Sequence, residues 1–323
     1  MKSTSFLLLL AAGIGVGSRA IAPAQEALQF GAATYSTAHR EWILPLQIRG
    51  PLSYRLEWST NLVDWAAAYS GSGSGTLLHT STPSARILSQ FYRARQLEDA
   101  SALTGDHFPT ADGEAVIHPI HHASLLLAWQ GRAIYSDPVN TNLLQGLPKA
   151  DLILLTHTHS DHLDAAALNF LRTTRTVVAA PRDVYNTLSA SLKTNTLVLT
   201  NGAATNALGV RIEAVPMYNL TTATPFHVKG AGNGYLLTLG GRRIYISGDT
   251  ENSPEMKALK DIDVAFLSVN QPYSMTVSQA VNAVNAFLPG IVYPFHHSGT
   301  DVLPLKRQLE ANPAVEVRLR KWY

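Results

Sequence analysis

The chain has 323 residues, 46% hydrophobic and 15% charged, with no cysteine. That composition excludes a disordered or fibrous chain, a disulfide framework and thiolate metal ligation. It carries 25 basic and 23 acidic residues; Lys2 and Arg19 fall in an acid-free first 24 positions, so the rest holds 23 of each sign and offers no global basic field to nucleic acid or an anionic membrane.

The first 24 residues carry Lys2, an apolar run from Phe6 to Val16, and the small-x-small triplet Ala22-Pro23-Ala24. This is the pattern of a secretory signal peptide. The run is shorter than the roughly 20 residues a spanning helix needs. An exported protein, periplasmic or extracellular, with no stable membrane span after processing is expected; an uncleaved anchor is the alternative.

Residues 28–97 contain short alternating runs with aromatics, "YRLEWSTNLVDWAAAYS" and "SQFYRARQL", around a Gly/Ser/Thr stretch. They predict a small all-β module, similar to small β-sandwich modules of secreted bacterial proteins, with Trp58, Trp65, Phe91 and Tyr92 in its core. Residues 98–110 read as a linker. From 111 to 323 apolar strand-like runs alternate with helical patterns, which predicts a mixed α/β domain. "SLLLAW" and "RAIYSD" straddle Gln130-Gly131, a hairpin turn. "DLILL", "TVVAA", "TLVLT", "VRIEAVP", "GYLLTL", "RRIYIS", "VAFLSV" and "IVYPF" are further strands, and helices are expected after Leu163, from Arg182, over "VSQAVNAVNAF" and over Pro304–Leu309.

Three of these strands end in ligand-type residues: "LILLT" runs into His157, "RRIYIS" towards Asp249, and "IVYPF" into His296. Strand ends are where loops converge and place functional groups. His157 and His159 lie two apart, on one side of an extended backbone. Asp161 and His162 follow after a turn. Neutral imidazoles and ionised carboxylates become tolerable together when a dication is their shared partner. Two pairs aimed differently suit two divalent ions, zinc first, with manganese or iron also acceptable.

"HTHSDH" resembles the H-x-H-x-D-H signature of the metallo-β-lactamase fold superfamily, "SGDTE" its second acidic motif and "YPFHH" its last histidine motif. "HASLLLAWQGRAIYSDPV", "VPMYNLTTATPFHVKGAGNGYLL" and "PYSMTVSQAVNAV" are similar to blocks of the ascorbate-6-phosphate lactonase-like branch. The resemblance covers about residues 115–320. It implies a four-layer αββα sandwich after the small β domain. It also implies His157, His159 and His227 on a first metal, Asp161, His162 and His296 on a second, and Asp249 between them. Asn219 and Tyr218 are the alternatives to His227. Asp137 would orient a ligand histidine, and His122 would face either the cleft or the core. His118, His121 and His297 would be structural or exposed, and His39 and His79, in the small module, irrelevant to the site. Asp164 would favour a helix dipole.

The implied activity is metal-assisted hydrolysis of a small ester, lactone, amide or phosphate ester by a hydroxide held between the ions, with Asp161 also moving a proton. The sequence offers no convincing nucleophile elbow, and the Gly/Ser repeat "GSGSG" at 71–75 lies outside the α/β domain. The loops after Asn140, around Leu220–Pro225 and around Tyr273 would frame the cleft. A nuclease on the same fold, and a surface-binding protein with a metal-stabilised scaffold, are the competing readings. Charge balance and the leader favour a small-molecule substrate over nucleic acid. Oligomeric state leaves no mark in the sequence.

Overall fold

The computed structural model describes residues 6–11, 28–38, 41–81, 89–97, 103–220, 225–309 and 312–323. The chain divides into two compact units, Met1–Pro109 and Thr110–Tyr323. Of the expected leader, only Phe6–Ala11 lies within the described residues, as a strand antiparallel to Ser89–Leu97. His39 lies outside them. Among the described residues no helix is long and apolar enough to cross a membrane.

The first unit is built on a long hairpin, Glu41–Ser59 with Ala66–Ser81. Its register shifts between Ile48 and Leu52, where Gly50 and Pro51 stand. Proline has no N–H to give the ladder, so pairing breaks there. Leu28–Phe30 and Thr34–Ser36 pair with Glu41–Ser59 before the break, and Ser89–Leu97 pairs with it afterwards. The two halves pack together: Leu44 with Leu56 and Tyr92, and Leu28, Leu46 and Ile48 with Tyr54 and Ala94. The expected sandwich is therefore one sheet doubled over. Tyr92 belongs to its core, Trp58 packs at the core's edge and Phe91 is half-buried. Trp65 does not join them; it takes the Arg93 guanidinium over its ring at 4.2 Å.

Part of the expected linker over 98–110 is regular structure. Gly105–Thr110 is a strand, paired to Ala66–Ser81 through Asp106 and Gly105. Asp106, His107 and Phe108 are buried, and His107 Nε2 lies 2.8 Å from Ser70 Oγ. A polar stretch can be a strand when its polar groups find partners in the sheet.

The second unit holds two sheets. The first runs Gly113–His121, Ser124–Trp129, Arg132–Ser136, Leu152–Leu154, Val177–Ala180, Thr196–Val198. Its first three strands are antiparallel and the last four parallel. Gln130 and Gly131 have φ of 49° and 70°, both positive, as a two-residue hairpin turn matching strand twist requires. The second sheet runs Ala204–Ala207, Val210–Met217, Gly232–Leu239, Arg242–Ile246, Val264–Ser268, Ile291–Phe295, Glu316–Val317. It is antiparallel as far as Arg242–Ile246 and parallel beyond.

Both faces of the parallel strands are covered, which is why they read as continuous apolar runs. On the outer face of the second sheet, Tyr245, Ala265, Leu267 and Val292 pack with Ala280, Ala283, Val284 and Phe287 of helix Val277–Phe287 and Leu305 and Leu309 of helix Leu303–Leu309. The intervening residues Phe266, Tyr293 and Phe295 stack together on the other face, with Trp322. The sheets are stitched where Tyr235 Oη donates to Leu155 O at 2.7 Å and Asn233 N to Thr156 O at 3.0 Å. Helices Ala165–Leu171 and Arg182–Thr187 complete the fourth layer and bury Ala167, Leu168, Leu171 and Val184. This is the expected αββα sandwich. Four parallel strands, two in each sheet, run directly into Asp137, Thr156-His157, Asp249 and His296.

Candidate metal centre

Two groups of side chains meet at those strand ends. In the first, His157 Nε2 lies 3.0 Å from His159 Nδ1, which lies 3.2 Å from His227 Nε2. In the second, His296 Nε2 stands 3.5 Å from Asp161 Oδ2, and His162 Nε2 stands 3.8 Å from that oxygen. Asp249 reaches both groups through one atom. Its Oδ2 is 3.2 Å from His296 Nε2, 3.5 Å from His162 Nε2 and 3.7 Å from His227 Nε2. All seven sequence-predicted residues are thus brought together, His227 included.

The chemistry of this set fits divalent metal. Imidazole nitrogens aimed at one another can share at most a proton, yet here three converge. Ligands 2.0–2.1 Å from a tetrahedral zinc stand about 3.3 Å apart, the spacing seen here. His162 Nε2 and both nitrogens of His296 are buried with no hydrogen-bond partner among the described residues, an arrangement native proteins avoid unless an ion or water completes it.

Neighbouring groups aim the ligand atoms. Asp137 Oδ2 lies 2.8 Å from His162 Nδ1, and Asp137 also accepts from Thr156 N at 2.8 Å and Thr156 Oγ1 at 2.6 Å. His162 Nδ1 therefore carries a proton towards Asp137, and Nε2 is the nitrogen that faces the cluster. His227 Nδ1 donates to Tyr273 O at 3.0 Å and lies 3.2 Å from Asn219 Oδ1. Asn219 thus orients His227 rather than replacing it, and Tyr218 turns away to donate to Glu255 at 2.9 Å. Ser268 Oγ lies 3.2 Å from Asp249 Oδ1, leaving Oδ2 to face the histidines. Asp164 caps helix Ala165–Leu171, its Oδ1 accepting from Ala166 N and Ala167 N.

Electrostatics act differently on the individual ligands. Burial pushes His157 well below the usual histidine range and His227 down to about 4, so both are neutral. Burial also disfavours charge on His162, but Asp249 and Asp137 outweigh it and hold that imidazole well above its usual range. A cation there takes over the same role. The hydrogen bond from His122, and then the His296 ring close by, keep the Asp161 carboxyl far below the ordinary carboxylate range. Burial opposes ionisation of Asp249, yet His162 and His296 keep it ionised.

The backbone is bent to suit the site. Asp137, His122 and His296 have φ of 41°, 55° and 47°, left-handed values that cost of order 1–3 kcal/mol each. Asp137 N donates to Leu154 O, His296 N to His122 O and His122 N to Trp322 O, at 3.0, 3.1 and 3.0 Å. Gly248, at φ 59°, passes Met217 so closely that a Cβ would stand 2.6 Å from its sulfur.

Sequence reasoning left His122 open between cleft and core; it joins the second group, its Nε2 3.0 Å from Asp161 Oδ2. It missed Thr156, Ser268 and Tyr323. Thr156 carried a readable signal, the hydroxyl just before the histidine motif. His118, His121 and His297 belong to no such group among the described residues. His79 packs tilted against Tyr92 in the first unit, 5.3 Å between centroids.

A four-layer sandwich with imidazoles and carboxylates gathered at its strand ends defines a metal-dependent hydrolase. Residues 117–296 match the beta-lactamase superfamily domain, and the chain belongs to that superfamily. A metal-dependent hydrolase of Thermoplasma acidophilum is 32% identical over 202 residues, 56% of this chain and 86% of the relative. A crystal structure of a candidate metal-dependent hydrolase from Parabacteroides distasonis is 42% identical with a TM-score of 0.62, covering 68% of this chain and all of that one. A metallo hydrolase from Ignicoccus hospitalis shares the fold at 22% identity and a TM-score of 0.53, over 64% of this chain and 94% of its own.

Proposed function

We propose that the second unit holds two divalent ions, zinc first, and hydrolyses a small ester, lactone, amide or phosphate ester, as the similarity to ascorbate-6-phosphate lactonase-like blocks suggests. One observation carries this reading. Asp249 Oδ2 stands within 3.7 Å of ligand nitrogens from both groups, the place of a bridging ligand. His157, His159 and His227 would hold one ion, and Asp161, His162 and His296 the other. When bound, such ions supply the acidity that ionises water near neutral pH and polarises the scissile group.

The chain's own residues do the rest. Asp137 keeps the proton of His162 on Nδ1, and Tyr273 O and Asn219 do the same for His227. Asp161 is about half exposed, with 49% of its side-chain surface open, and ionised. It sits at the open side of the group, where it can accept a hydrogen bond from the attacking water and orient it. The balanced charge supports a small uncharged or singly charged substrate over nucleic acid. The leader pattern over residues 1–24 supports export; sequencing the N-terminus of the protein recovered outside the cytoplasm tests it.

The central test is metal removal. Purified protein is expected to contain two ions per chain, to lose hydrolysis of generic ester, lactone and phosphodiester substrates on chelation, and to regain it with zinc. Activity surviving complete metal removal would refute the reading.

A further inference from the structure

Four side chains capable of binding metal gather in the second group: His122, Asp161, His162 and His296. Three are accounted for by the ion proposed there. The fourth, His122, has both ring nitrogens already engaged. Nε2 is 3.0 Å from Asp161 Oδ2, and Nδ1 is 2.7 Å from Tyr323 Oη. Asp161 is an ionised carboxylate, so the hydrogen between them belongs to Nε2. In the neutral ring Nδ1 is then the acceptor, and the Tyr323 hydroxyl is its donor. Ser298 N donates to the same phenol oxygen at 2.7 Å, which leaves the phenol hydrogen free to point at His122.

The elements behind this chain of contacts are firmly placed. Trp322 is 1% exposed, its ring packed on Phe295 and Phe266 at 5.8 and 6.3 Å. Its carbonyl accepts from His122 N. The next residue, Tyr323, is therefore delivered to the cleft by a buried anchor. His122 lies over His296 with ring centroids 3.7 Å apart, and its carbonyl accepts from His296 N.

From this geometry we infer that His122 is not a metal ligand but a positioning residue, which donates through Nε2 to aim the Asp161 carboxylate, and that Tyr323 is the residue that fixes its tautomer. The inference rests on the two-ion reading of the site. It divides the second group into three ligands and one donor, by the logic with which a carboxylate holds a catalytic imidazole in one tautomer.

The test uses full-length protein loaded with cadmium-113 and labelled with nitrogen-15 histidine. Ring protons of histidine ligands couple to the metal, and nitrogen shifts report the tautomer. The expected result is coupling at His157, His159, His162, His227 and His296, none at His122, and a His122 ring protonated on Nε2. Metal coupling at His122, or an unprotonated Nε2, overturns the inference. Two variants add a binding readout. His122→Gln retains an N–H donor and is expected to keep most of its affinity for the second ion, whereas His122→Ala is expected to lose about 10-fold or more. Tyr323→Phe is expected to weaken the second ion several-fold and to blur the His122 tautomer, with the first ion unaffected. Equal second-ion affinity in His122→Ala and wild type overturns the positioning role. If wild-type protein takes up a single ion, the two-ion reading fails, and the His122 nitrogen shifts still decide the relay on their own.

Discussion

Asp137 Oδ2 lies 2.8 Å from His162 Nδ1, and the two side chains are 1% and 0% exposed. Among the described residues this buried carboxylate forms an ion pair with His162 alone, which ties its charge to one imidazole and, through it, to the second group. Asp137→Asn keeps the shape but puts an amide where the acceptor was. Affinity for the second ion is expected to fall about 10- to 100-fold, with the first ion much less affected. Competitive titration with a metal indicator reads both constants; equal losses at the two sites contradict this assignment.

Asp249→Ala removes the atom common to both groups. Nearly all metal is expected to be lost from both, whereas His162→Ala empties mainly the second. Elemental analysis of the dialysed variants distinguishes them, and identical metal content in the two variants would rule out a bridging role.

Gly248 allows the turn that brings Asp249 into place. Gly248→Ala forces a side chain into the left-handed region and against Met217 Sδ at 2.6 Å. Stability is expected to drop by about 1–3 kcal/mol, read as a lower midpoint in urea with an unchanged slope. A midpoint equal to wild type contradicts the steric account.

Burial holds His227 at about 4 in the folded protein, against about 6.5 in an unfolded chain. As pH falls from about 6.5 towards 4, the unfolded state takes up this proton first. For the metal-free protein, His227 therefore supports the fold fully above pH 6.5, and that support declines as pH falls to 4. Unfolding free energies of chelated wild type and His227→Gln, compared at pH 7 and pH 4.5, are expected to converge or cross on acidification. A constant difference between them would show that the ring is not held neutral by burial.

Much of the centre was legible because it is local. His157, His159, Asp161 and His162 share six consecutive residues, and Asp249 and His296 each follow an apolar strand. Strand period and hydrophobicity are enough to place such groups at strand ends, and the family resemblance extended this to His227. Other features depended on distant chain. Gly105–Thr110 reads as polar linker, and pairing within a sheet, with Ala66–Ser81 among its partners, makes it a strand. Trp65 has the composition of a core residue, yet its place in the turn after Ser59 puts it under Arg93.

The sequence by itself determined the ligand inventory and the strands that carry it, since residue chemistry and apolar periodicity are properties of short segments. Tertiary structure decided which nitrogen of each imidazole faces the cluster, that one oxygen of Asp249 serves both groups, and that Tyr323 closes on His122 across 201 positions of chain. Those outcomes depend on hydrogen bonds between segments far apart in sequence, and nothing in a local pattern encodes which acceptor a ring proton will meet once two sheets have packed.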